Sequence, residues 1–221
     1  MKISEKENFF SIEDFFDSSV IAGYSKPKLA GTLPDDFYKA FSCSHRDFSL
    51  SYMKQLHSDK VHVVGNPGEY SGDGLFTSAK KHFLVVKTAD CLPLFFFSKR
   101  LSVAGVVHMG WRSAAGGILE NIPYDLSTFK VVAGVGMRCC CYEVGKELEQ
   151  CIRIKPYLKS NGERIYFDPI AFVCDSLARR GMPRDNFLDL DYCTVCHRDN
   201  FLSFRKTATS KRMLSFIGFI E

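Results

Sequence analysis

Between Val61 and His108 the apolar positions fall into short runs of strand length: Val61–Val64, Leu75–Thr77, Phe83–Thr88, Leu92–Ser98 and Ser102–His108. Clusters of Gly, Asn, Pro and Ser separate them, and these are the residues that turn a chain. Further on, Lys130–Val135 predicts another buried strand and Met213–Ile220 a closing one. Helical spacing appears at Gly116–Ile122, at Tyr142–Ile154, where the pattern predicts an amphipathic helix, and at Pro169–Arg180, which stops at Gly181. Residues 1–40 carry no clean period, and only Ser11-Ile12-Glu13-Asp14 suggests a helix start, with Ser11 as its cap. No repeat, low-complexity stretch or linker divides the chain. The expectation is a single α+β (mixed α/β) domain over 1–221, with a mixed, largely antiparallel β-sheet structure flanked by helices.

Composition narrows the function classes. At 221 residues, 46% apolar and 24% charged, with 20 Phe, the chain can bury a core of its own and lies far from the disordered class. The apolar runs are much shorter than the roughly 18–20 residues that span a bilayer, so no membrane helix is expected. Lys2, Glu5, Lys6 and Glu7 interrupt the start where a secretory leader needs an apolar stretch, which points to the cytoplasm. Nine Cys at irregular spacing fit reduced thiols, some of them on metal, better than a disulfide framework. A net charge of +4 from 29 basic and 25 acidic residues makes no concentrated basic stripe, and no nucleic-acid partner is expected.

Candidate chemistry comes from the hairpin of Leu92–Ser98 and Ser102–His108. With its turn at Ser98-Lys99-Arg100-Leu101, opposed residues have numbers summing to 199, which pairs Cys91 with His108. Side chains so opposed have Cβ atoms about 4.5–5.5 Å apart, close enough to share a metal ion or a proton. Pro93 threatens this register, because a slip of one would send the two to opposite faces. Asp90 adjoins the thiol; Trp111 and Arg112 follow the imidazole; His57 stands in a polar turn before a strand. Three N/S ligands with an open fourth position make a catalytic zinc site. Taken singly, each residue has a plainer role: Cys as a small core side chain, Trp111 as a core plug, Arg112 as a surface ion pair.

The segments QLHSDKV (55–61), GDGLFTS (72–78), TADCLPLFFF (88–97), VAGVVHMGWRSAAGGIL (103–119), CCYEVG (140–145) and FLSFRK (201–206) together resemble the polyphenol-oxidase/laccase-domain family, also described as purine nucleoside phosphorylase-like. The match covers 52–220, whereas 1–50 lacks the family's Asn-Leu-Gly type segment, Ser113 replaces a Gly and Val135 a Pro. The resemblance implies one Zn2+ on His57, Cys91 and His108. It also implies action on purine nucleosides: phosphorolysis of adenosine, inosine or methylthioadenosine, and deamination of adenosine. Within that frame Arg112 and Arg205 are the expected phosphate contacts. Asp90 is the expected proton carrier, and Asp73 a second acidic candidate.

Other readings use the same chain. Cys91 as nucleophile with His108 as base and Asp90 as orienter would make a thiol hydrolase, and a protein that binds metal without turnover is a third option. Cys193-Thr194-Val195-Cys196-His197 has the spacing of haem attachment, which would require export; the same cysteines could instead hold structural zinc with Cys139, Cys140 or Cys141.

Overall fold

A computed structural model describes residues 3–29, 33–41, 47–197 and 200–221. Among the described residues, sixteen strands form three sheets. The seven-stranded sheet runs in the order Ile3–Glu5, Phe9–Ile12, Val20–Ser25, Met213–Phe219, His82–Thr88, Ser49–Lys54, Gly68–Ser71. The six-stranded sheet runs Phe187–Asp189, Lys130–Ala133, Leu92–Ser98, Val103–Met109, Gly74–Thr77, Val61–Val63. A small third sheet joins Glu143–Val144, Arg164–Phe167 and Leu158–Asn161. Nine of the strand pairings are antiparallel and four parallel, the mixed sheet architecture expected.

The two large sheets pack face to face between helices. Along Leu92–Ser98, Phe95 and Phe97 point into the core shared with Leu84, Val86 and Ile217 of the other sheet. Leu92, Leu94 and Phe96 point the opposite way, onto Ala114, Ile118, Phe172 and Leu177. Both faces of the strand are therefore dry, which explains why it reads as an unbroken apolar run rather than an alternating one. Phe83, Val85 and Phe216 cover the outer face of the seven-stranded sheet together with Phe37 of the Asp35–Phe41 helix. No helix among the described residues is long and apolar enough to cross a membrane.

Four expectations change. Phe9–Ile12 is a strand, so Ser11 caps no helix; its neighbours on both sides in the sheet override the weak local signal. The first interior helix is Trp111–Gly116, earlier than the predicted Gly116–Ile122, because Gly117 at φ 94° ends it with a left-handed cap. Tyr142–Ile154 holds only the short strand Glu143–Val144 and a 3-10 turn over Lys146–Gln150, with Gly145 separating them. Finally, the hairpin partners sum to 201 rather than 199: His108 faces Pro93 and Val103 faces Ser98. The turn is Lys99 to Ser102, closed by Ser102 N donating to Lys99 O at 3.2 Å with Ser102 at φ 50°. A slip of two leaves parity intact, so Cys91 and His108 keep the same face.

Candidate metal centre

The chain leaves the seven-stranded sheet at Thr88 and enters the six-stranded one at Leu92, crossing through Ala89, Asp90 and Cys91. Asp90 makes the turn with φ 94°, and its side chain fixes that conformation. One oxygen accepts from Thr194 Oγ1 at 2.7 Å, the other from Arg205 N at 2.7 Å, while Asp90 O accepts from Met137 N at 2.7 Å. Cys91 thus stands at one end of the sandwich, on the face His108 shares.

His57 reaches the same point through a different device. Asp73, fully buried, accepts from the amides of Leu56 at 3.2 Å, His57 at 3.1 Å and Ser58 at 2.6 Å, and from Ser58 Oγ at 2.8 Å. The loop closes around this carboxylate with His57 in the left-handed region, φ 55°. Asp73 Oδ1 also accepts from His108 Nδ1 at 2.9 Å. With Nδ1 carrying the proton, His108 presents the lone pair of Nε2 as its ligand atom. One carboxylate therefore holds the His108 imidazole directly and the His57 backbone through its amide.

The result is a three-donor cluster. The ligand atoms of His57, Cys91 and His108 lie within 4.8 Å of one another, so one metal ion could be held among them. The two rings meet nearly edge to face, centroids 5.0 Å apart at 75°. Burial pushes the Cys91 thiol up, but His108 and His57 outweigh it and hold the group below the usual thiol range. Burial likewise disfavours charge on His108, whereas the Cys91 thiolate and Asp73 raise it above the ordinary imidazole range. The chain on its own thus favours a thiolate at Cys91, the form that binds metal.

Above the cluster opens a cavity of about 930 Å³. Six cations line it, Lys54, Lys87, Arg112, Arg205, Lys211 and Arg212, against the carboxylates Glu69 and Asp90. Arg112 stacks its guanidinium over Trp111 at 4.3 Å and has no carboxylate partner among the described residues. Arg205 donates to Glu143 O at 3.0 Å. Phe204, 53% exposed, and the buried Tyr142 add aromatic surface. Tyr142 Oη accepts from Trp111 N at 3.1 Å, and burial keeps its phenol protonated far above the usual range.

Of the residues singled out from sequence, His57, Cys91, His108, Asp90, Arg112 and Arg205 all line this one cavity. Asp73 does not; it stands behind His108. Both oxygens of Asp90 are built into the wall, and the carboxylate that orients His108 is Asp73, not Asp90. Tyr142 is the residue that sequence reasoning missed. The CCYEVG motif carried it, but the expected helix gave the ring no direction.

Gly110, between His108 and the Trp111–Gly116 helix, has an ordinary φ of −98°, yet a Cβ there would lie 2.9 Å from Cys91 Sγ and 3.5 Å from His57 Cδ2. Gly110→Ala is expected to cost about 1–3 kcal/mol of crowding at these two ligands, lowering metal affinity by about tenfold or more. Titration with a competing chelator measures it, and far-ultraviolet circular dichroism should remain unchanged.

Similarity to known proteins shows the family and the fold. Residues 36–220 match the family model described as multi-copper polyphenol oxidoreductase laccase. A purine nucleoside phosphorylase of Aquifex aeolicus is 31% identical over 173 aligned positions, covering 74% of this chain and 79% of that one. One of Borreliella burgdorferi is 27% identical over 228 positions, covering 96% of each. YlmD of Geobacillus stearothermophilus shares the fold at a TM-score of 0.87, with 21% identity over 99% of this chain and 98% of that one. A family match across most of the sequence, with the fold of YlmD, leaves one conclusion: the chain belongs to the multi-copper polyphenol oxidoreductase laccase family.

Proposed function

We propose that this chain is a zinc-dependent enzyme of purine nucleosides, which splits adenosine, inosine or methylthioadenosine with orthophosphate and also deaminates adenosine. The observation that carries the reading is the position of a two-imidazole, one-thiolate donor set at the floor of a cationic cavity. Two nitrogens and one sulfur suit Zn2+, and three protein ligands leave a coordination position for substrate. Multi-copper chemistry, in the family's name, needs more imidazoles than meet here. His62 is bonded to Ser71 O, His82 to Ser51 Oγ and His197 to Cys193 O, so only His57 and His108 come together among the described residues. Bound zinc would supply Lewis acidity beside the substrate.

The remaining steps belong to the chain. Trp111, Phe204 and Tyr142 offer flat apolar surface to a purine. Arg112 and Arg205 hold the phosphate, whose oxygen forms a bond to C1′ while the bond from C1′ to the base breaks. The departing base takes a proton, and Tyr142 is placed to give it: its oxygen accepts from Trp111 N, so its own hydrogen is free. Asp73 positions His57 and His108.

The test is product analysis of purified protein with adenosine, with and without phosphate. Adenine with ribose 1-phosphate supports phosphorolysis and inosine supports deamination; no product from any purine nucleoside sinks the reading and leaves a metal-binding protein without turnover. Arg112→Ala should retain zinc and deamination while losing about 1.5–3 kcal/mol of charge-assisted contact to phosphate, about 10–100-fold in kcat/KM for phosphate.

A second reading has an observation of its own. Cys91, His108 and Asp73 stand in the order nucleophile, base, orienter of a thiol hydrolase. Iodoacetamide separates the two: a zinc-bound Cys91 is protected until chelator is added, whereas a hydrolase thiolate is alkylated at once.

A further inference from the structure

A second constellation lies outside the cavity. Four cysteines distant in sequence, Cys140, Cys141, Cys193 and Cys196, bring their sulfurs within 4.8 Å of one another. Cys196 Sγ is 3.7 Å from that of Cys140 and 3.5 Å from that of Cys141. These are not disulfide distances, which are about 2.05 Å. They are close to the separation of roughly 3.8 Å between two sulfurs on a tetrahedral zinc, given Zn–S bonds of about 2.3 Å. The four are free cysteines, with Cys193 buried and Cys140 and Cys196 exposed, so that an ion can enter from solvent.

The backbone around them has the form of a ligand loop. Cys193 and Cys196 have C-x-x-C spacing. Across from them, a turn in which Cys141 N and Tyr142 N both donate to Arg138 O at 2.9 Å presents Cys140 and Cys141. An isolated parallel bridge between Gly136 and Cys193 holds the two segments in register. This placement is already made without an ion, which lowers the ordering cost of binding one.

We propose that Cys140, Cys141, Cys193 and Cys196 hold one Zn2+ as a structural tetrathiolate site that fastens the segment carrying Tyr142 to the segment leading to Arg205. Binding forms four Zn–S bonds and releases the four thiol protons to solvent. No position stays open for substrate, in contrast to the His57, Cys91 and His108 centre. The site works by tying down the cavity wall: Asp90 receives Thr194 and Arg205 from one fastened segment and Met137 from the other. The inference does not depend on which reaction the cavity performs.

Elemental analysis of full-length protein, purified under reducing conditions without chelator, tests it. Wild type should carry two zinc per chain. Cys196→Ser and the double variant C193S/C196S should carry one, and His57→Ala should carry one. Cobalt reconstitution should give intense thiolate-to-cobalt charge-transfer bands that survive His57→Ala and fall to the weak contribution of the single Cys91 thiolate in C193S/C196S. Zinc added to metal-stripped His57→Ala should raise its Tm, a readout that remains if the double variant fails to fold. A single zinc that survives His57→Ala but is lost in Cys196→Ser removes the cavity metal and supports this site. Zinc content unchanged by Cys196→Ser, or two thiols missing from titration of the unfolded wild type, overturns it.

Discussion

Cys91→Ala is expected to lose one equivalent of zinc relative to wild type and, with it, both phosphorolysis and deamination. Cys91 supplies the only sulfur in the cavity cluster, and the two imidazoles left behind make a poor zinc site. Losing a Lewis acid worth several kcal/mol lowers kcat/KM by about a thousandfold or more. Alanine fits where the thiol stood, so Tm should fall only slightly. The checks are zinc content, Tm and product formation on the same preparation. A variant that keeps its zinc count and its rate would remove the proposed centre altogether.

Asp73→Ala should be the most destabilising change near the site, although Asp73 is not in the cavity lining. Its carboxylate accepts from three amides, one hydroxyl and one imidazole. Removal leaves those donors without their acceptor and the buried His108 imidazole without its orienting partner. Breaking such a buried pair costs about 3–5 kcal/mol, which lowers Tm by about 10 °C in a chain of this length. Zinc affinity should fall by roughly 10–100-fold, as for other losses of a ligand's hydrogen-bond partner. Asp73→Asn separates the two effects: its side chain fills the space but puts an NH2 where one of these donors must be accepted. Thermal unfolding and chelator competition measure them.

The candidate site was partly legible because its donor residues are chemically distinctive and sit at or beside strand ends. Cys91 and His108 close the two arms of one hairpin, and hairpin parity survives an error of two in the turn. Asp73 was legible as a second acidic candidate in GDGLFTS; its bonds to His108 and to the 56–58 amides depend on the 55–58 loop folding onto it, which no local pattern encodes. The expected helix at Tyr142–Ile154 failed for a related reason. Glu143 and Val144 pair with Tyr166 and Ile165, and that long-range partner takes the chain out of a helical path.

By itself the sequence determined the candidate donor residues, the strands beside them and the family, because side-chain identity and strand-length apolar runs are local properties. The hairpin register followed from turn geometry at Ser102. The union of Cys140 and Cys141 with Cys193 and Cys196, and of one carboxylate with the His108 imidazole and the His57 amide, followed from how the sheets and loops meet. Contacts between residues far apart in the chain are decided by the packed arrangement of the whole, which only the tertiary structure holds.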